Sequence, residues 1–469
     1  MAPTVIVWFR RDLRLSDHPA LAQAVAEQAQ IVPLFIFDPY LLQHPETGSG
    51  RVQFLLDCLD SLQKNLDYLG STLVRRYGDQ RQVLAQVAAE FKADAVYWND
   101  DSERLWRTET DCSVTDSLKN LGVRVQVFRS EALLPAGGKQ TYALKTFTPQ
   151  WYQFLSEPVA PRPQILPPVA VKGMDELRSL QDLDLPKSDQ RIPTAGEREA
   201  HRLLSEFIHH KAPDYLKSLS VATQASQKTS RLSPHLKFGT MSARTIYQQV
   251  RQYRPAATKW EKRNLDGFIS RLFWRDHFAQ KLRNLPRCET ESYLEAFDQV
   301  SWSQNEDHYQ AWCEGKTGYP LVDAAMRCLN ATGWIPFRLR ALCATFLCID
   351  LFLPWQWGAN HYMNKLIDAD VAIDHWQWQS HAGVSNRGRS WFRVYNPNKG
   401  ISKIDPQGSF IHQWVPELAD IPVAGFSTPQ LYGRDYYQPL VEHDEARRQA
   451  LAVLEPIKRQ QKRKKKSAA

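Results

Sequence analysis

Short apolar runs alternate with helix-length segments through the N-terminal part of the chain, and no other feature restricts its fold as much. Residues 5–9, 31–37, 72–77, 95–98 and 123–128 are rich in β-branched and aromatic side chains and have the length of strands. Between them, 18–29, 51–69, 80–92 and 103–120 carry helical patterning. Strand–helix alternation with short links predicts a parallel, doubly wound sheet covered by helices on both faces. Ligands in such α/β sheets sit beyond the carboxyl ends of the strands. The first run is followed at once by Arg10-Arg11-Asp12 and not by G-x-G-x-x-G, so the dinucleotide fingerprint is absent there.

The 469 residues exceed one simple core, and the composition changes along them. Proline-rich stretches at 157–163 and 166–168 mark an extended crossing. From about 197 the pattern turns helical, with loop punctuation at 380–432 and a closing helix near 442–457. The reading is an α/β domain at 1–132, an interdomain linker at 133–196, an all-helical domain at 197–457 and a basic disordered tail at 458–469. A net charge of +8 favours polyanionic partners. Seven cysteines, an odd number without C-x-x-C, argue against a disulfide framework or a zinc site. They suit a reducing, cytoplasmic setting. No apolar run reaches the ~18–20 residues of a membrane span, so no membrane partner is expected.

Three groups of residues carry chemistry. Trp302, Trp355 and Trp378, among the chain's fifteen tryptophans, fall in an aromatic-rich helical region next to Arg340 and the pair Asp368 and Asp370. Indole rings pass single electrons, and a relay of them ending at fixed charges suggests a redox cofactor; each ring alone is more often core. Thr229-Ser230-Arg231-Leu232-Ser233-Pro234 places hydroxyls and an arginine before a proline-marked helix, which suits a pyrophosphate or a plain N-cap. Arg271, Trp274 and Arg275 mix cations with an aromatic on one helix, able to stack on a base and grip a phosphate or to form a solvated basic face.

Longer motifs then join these groups. Val7-Trp8-Phe9-Arg10-Arg11-Asp12-Leu13-Arg14-Leu15-Ser16-Asp17, Thr317-Gly318-Tyr319-Pro320-Leu321-Val322-Asp323, Arg393-Val394-Tyr395-Asn396-Pro397 and Trp414-Val415-Pro416-Glu417-Leu418 occur in the order found in photolyases and cryptochromes. The chain resembles that family over nearly its whole length. The resemblance implies an N-terminal α/β domain, with a folate antenna, a deazaflavin antenna or none, and a helical domain holding FAD. It places Thr229, Ser230, Arg231, Leu232 and Ser233 at the phosphates, and Arg340, Asp368 and Asp370 around the isoalloxazine and ribose. Trp378, Trp355 and Trp302 become an electron-transfer triad, ordered from the flavin outwards.

The chain departs from the family's dimer-repairing members where they meet the lesion. Those members have glutamate at Arg271, asparagine at Phe337, methionine at Ala341 and tryptophan at Ser380; Trp274 and Arg275 are kept, and Arg393 is retained as a DNA contact. Asp374 stands where photolyases have asparagine beside flavin N5 and plant cryptochromes have aspartate. A carboxylate there is repelled by reduced anionic flavin and so gains affinity for a proton. The expectation is a light-driven, FAD-dependent photolyase that acts on pyrimidine dimers in DNA, single-stranded or duplex. The alternative is a cryptochrome-type blue-light receptor with little or no repair and a signalling partner.

Overall fold

The computed structural model describes the chain except residues 1, 102–103, 138–139, 170–176, 386–391, 393 and 468–469. The five expected strands form as β1 (Thr4–Phe9), β2 (Gln30–Phe37), β3 (Val74–Tyr77), β4 (Ala95–Asn99) and β5 (Arg124–Phe128). They make one parallel sheet in the order β3-β2-β1-β4-β5, with Val5 opposite both Ile31 and Ala95. The helices between them are α1 (Pro19–Ala26), α2 (Ser49–Tyr68), α3 (Gln80–Glu90) and α4 (Leu105–Asn120).

The period-two geometry of strands sorts the core into two layers. Val5, Val7, Phe9, Ile31, Phe35 and Tyr97 face one apolar cluster, while Ile6, Trp8, Val32, Leu34, Val96 and Trp98 face the other. Both layers are buried, and this accounts for apolar runs where a half-exposed sheet would alternate.

The chain divides into two compact units. The first comprises Met1–Pro213, Ser230–Pro286 and Ile367–Asp370, and so joins the sheet to α5 (Ala243–Tyr253) and α6 (Lys259–Asn284). A capping box of Thr258 and Glu261 starts α6. The second unit comprises Asp214–Thr229, Arg287–Leu366 and Val371–Ala469. It is built from α7 (Glu306–Glu314), α8 (Pro320–Thr332), α9 (Phe337–Thr345), α10 (Trp355–Lys365), α11 (Val371–Ala382) and α12 (His443–Ser467). Gly315 and Gly333 close α7 and α8 in left-handed conformation. The backbone of α12 stays helical to Ser467, through the stretch expected as a disordered tail. Lysine, arginine and glutamine are good helix formers, which fits that extension. Among the described residues no helix is long and apolar enough to cross a membrane.

Candidate functional site

In the second unit, α10 and α11 pack against each other and gather the redox-active rings. Trp378 is 2 % exposed, with its ring 4.9 Å from Tyr362 and 6.0 Å from Trp312. Its seat depends on Gly358 of α10. A Cβ built there would lie 2.2 Å from the indole Cη2. Trp355 opens α10 after Pro354, buried, with its ring edge-on to His375 at 5.7 Å. The Nδ1–H of His375 donates to the Glu289 carbonyl at 2.6 Å, which sets its tautomer. Trp302 is half-buried and packs on Phe352 at 4.9 Å. Among the described residues the indole N–H groups of Trp355 and Trp378 are buried without an acceptor.

Asp374 lies one turn before Trp378, on the same side of α11, and is half-buried. Gln379 pins this helix to the 288–293 loop: its amide donates to the carbonyls of Cys288 and Glu291 at 3.0 and 3.1 Å, and its oxygen accepts the Tyr293 N–H at 2.7 Å. On α9, Arg340 donates through Nε to the Ile335 carbonyl at 2.8 Å, and Tyr362 Oη donates to the Arg340 carbonyl at 3.4 Å. Phe337 begins α9 half exposed, 6.2 Å from the His381 ring. The Thr229 hydroxyl donates to the Ala225 carbonyl at 2.7 Å and keeps its lone pairs as acceptors.

In the first unit the phosphate-loop candidates behave differently from an N-cap. The short helix Ser233–Lys237 has Leu232 at its cap, with no side-chain cap bond. Arg231 is left-handed, with φ of 56°, and Leu232 is right-handed. Successive residues of opposite hand turn their N–H groups into one concavity, an anion-binding nest. Ser230 Oγ accepts from Leu232 N at 3.4 Å at one side of it. This donor set fits the pyrophosphate of a flavin dinucleotide.

Asp370 is ion-paired to Arg11 at 3.0 Å, and Arg11 also pairs with Asp101 at 3.0 Å. Asp368 lies half-buried two residues before it. These pairs are part of a charged cluster beyond the carboxyl ends of β1 and β4, where the strand order reverses. Arg10 donates to Asp111 at 2.7 Å, and Asn99 and His18 both contact Asp12. Glu131 stands in this cluster, 3.3 Å from Arg275. Burial pushes its carboxyl up to about 7, with Arg275 and Arg11 opposing.

On α6, Arg271 is exposed and Trp274 is 36 % exposed. Arg275, expected with them as a DNA contact, is instead turned inward and bonded to Asp276 and Glu131. Its guanidinium satisfies the buried Asp276 and the half-buried Glu131, a demand that the sequence pattern of α6 does not reveal. Arg393 lies outside the described residues. Sequence reading missed Trp312, Tyr362, His375, Gln379 and Gly358. The available signal was the helical spacing of Gly358 and Tyr362 on α10.

Comparison with known proteins places this geometry. Residues 5–168 match the model described as DNA photolyase, and 268–456 match the FAD binding domain of DNA photolyase. A protein of Escherichia coli named deoxyribodipyrimidine photo-lyase is 34 % identical, over 97 % of this chain and 99 % of its own. One of the same name from Halobacterium salinarum is 33 % identical over 96 % and 98 %. The solved structure of a Synechocystis cryptochrome superposes with a TM-score of 0.87 at 26 % identity, covering 97 % of this chain and 99 % of that one. The parallel sheet followed by helices, the FAD-binding region and these full-length likenesses lead to one conclusion: the chain belongs to the photolyase/cryptochrome family.

Proposed function

We propose that the chain is a light-driven DNA photolyase that splits UV-induced pyrimidine dimers. The observation that carries this reading is its likeness, at 33–34 % identity and nearly full length, to proteins named deoxyribodipyrimidine photo-lyase. Bound FAD, reduced and excited by blue light, supplies the electron that opens the dimer. The chain positions, shields and charges. The Arg231–Leu232 nest with the hydroxyls of Ser230 and Ser233 would hold the pyrophosphate, joined by Thr229 once its hydroxyl turns from the Ala225 carbonyl to donate to a phosphate oxygen. Arg340, Asp368 and Asp370 would hold the ring system and ribose. Trp378, Trp355 and Trp302 would carry electrons inward from solvent, and Asp374 would hold a proton for flavin N5.

A duplex hides its lesion, so the dimer must be turned out of the stack. Trp274 would stack on it and Arg271 would grip phosphate, both being exposed on α6. Phe337 would offer a second apolar face, and Arg393 a phosphate contact. Arg275 would orient α6 through Glu131 and Asp276.

A second reading, a cryptochrome-type blue-light receptor, is favoured by Asp374 and by Arg271 and Phe337 in place of glutamate and asparagine. Arginine has no acceptor for a base N–H. Dark binding separates the two. A photolyase holds an oligonucleotide with one cyclobutane dimer more tightly than its undamaged twin, and Trp274→Ala erodes that preference. Equal affinity for both would sink the repair reading.

A further inference from the structure

We infer that a second electron-transfer branch leaves Trp378, running through Trp312 and Tyr309 to Trp357. It rests on the flavin reading above and concerns residues of the second unit alone. Trp312 is fully buried, its ring 6.0 Å from Trp378. Tyr309 stacks on Trp312 at 6.3 Å with an interplanar angle of 17°. Trp357 meets Tyr309 edge-on at 5.1 Å. Each step is a ring–ring contact, and burial relaxes along the path. Trp378 and Trp312 are closed off, while Tyr309 and Trp357 are half-buried.

The hydrogen bonds say where a hole can rest. The Trp312 indole N–H donates to the Cys343 carbonyl at 3.2 Å, and a carbonyl is no base for its proton. His361, in ring contact with Trp312 at 5.4 Å, is pushed down to about 3 by burial, so it adds no positive charge beside an oxidised indole. Tyr309 Oη donates to the Trp357 carbonyl at 3.1 Å. Oxidising a phenol at neutral pH expels its proton, and that carbonyl cannot take it. Tyr309 therefore bridges, and Trp357, half-buried, ends the branch.

The balance is simple. Photoexcited oxidised flavin takes one electron from Trp378. Trp312 refills Trp378, and Trp357 refills Trp312 across Tyr309. The Trp357 radical cation releases its N–H proton to water, and an added thiol returns one electron and one proton. The branch supplies a second entry for electrons beside Trp355 and Trp302.

The test follows the loss of oxidised-flavin absorbance under blue light with thiol present, with flavin content measured first. Trp355→Phe should slow this bleaching and leave it measurable, and adding Trp357→Phe or Trp312→Phe should abolish it. Transient electron paramagnetic resonance with ring-deuterated tryptophan should show an indole radical in Trp355→Phe that disappears with Trp357→Phe. Complete loss in Trp355→Phe alone, with flavin bound, would overturn the branch. So would unchanged bleaching on adding Trp357→Phe. If Trp355→Phe fails to hold flavin, Trp302→Phe and its Trp357→Phe double variant give the same decision from the half-buried end. A wild-type protein that binds flavin yet never bleaches would refute the flavin relay as a whole, a distinct outcome.

Discussion

Replacing Gly358 by alanine tests how Trp378 is held. In a helix interior alanine is favoured over glycine by about 1 kcal/mol. Against that gain, the new Cβ would stand 2.2, 2.5 and 2.8 Å from three carbons of the Trp378 ring. Carbon atoms rest at about 3.5 Å, so the ring must retreat by roughly 1.3 Å (3.5 less 2.2). Tyr362 and Trp312 already touch it. Overpacking of this kind costs about 1–3 kcal/mol. The net expectation is a loss of about 0–2 kcal/mol, together with slower light-driven flavin bleaching because the ring has moved. Urea denaturation and a bleaching time course read both. A variant about 1 kcal/mol more stable than wild type, bleaching at the same rate, would show the propensity gain unopposed and refute the seat.

Three further perturbations bear on the two units. Asp17 is 1 % exposed and ion-paired to Arg244, so Asp17→Ala leaves a buried guanidinium with only the half-exposed Glu157 at 3.7 Å and should cost about 3 kcal/mol in denaturant; under 1 would contradict it. Glu131 has its folded pKa raised to about 7 from 4.5, so its contribution to stability is complete below 4.5 and is lost as pH rises through 7, by at most about 3 kcal/mol. Glu131→Gln should flatten that slope in urea titrations between those pH values, and an unchanged slope would count against it. Gln379→Ala removes three hydrogen bonds to the 288–293 loop and should cost about 2–4 kcal/mol while slowing bleaching; unaltered midpoints would show the loop to be held elsewhere.

β1, β2 and β4 were legible because they are buried on both faces, which writes them as plain apolar runs, whereas β3 and β5 carry exposed positions and arginines. Their ends were less so: 72–73 looked like strand, yet pairing with β2 begins at Val74. The order β3-β2-β1-β4-β5 depends on long-range pairing that no local pattern records. Arg271 and Arg275 are one turn apart on α6 and look alike in sequence, but Glu131, from a loop far away, draws only Arg275 inward. Arg231 gave no hint of its left-handed backbone, since glycine or asparagine is the usual sign of that conformation. Trp312 becomes a neighbour of Trp378, and Trp357 of Tyr309, only through tertiary packing. The expected triad was named from family likeness, not from spacing.

The central claim is light-driven repair. Purified protein with its flavin chemically reduced would be mixed with single-stranded and duplex oligonucleotides, each carrying one cyclobutane dimer, and exposed to blue light beside a dark control. The account predicts restored thymines in the illuminated samples only, with the yield reduced by Trp274→Ala. Intact dimers in both strand forms, with flavin bound and fully reduced, would contradict it and leave the receptor reading standing.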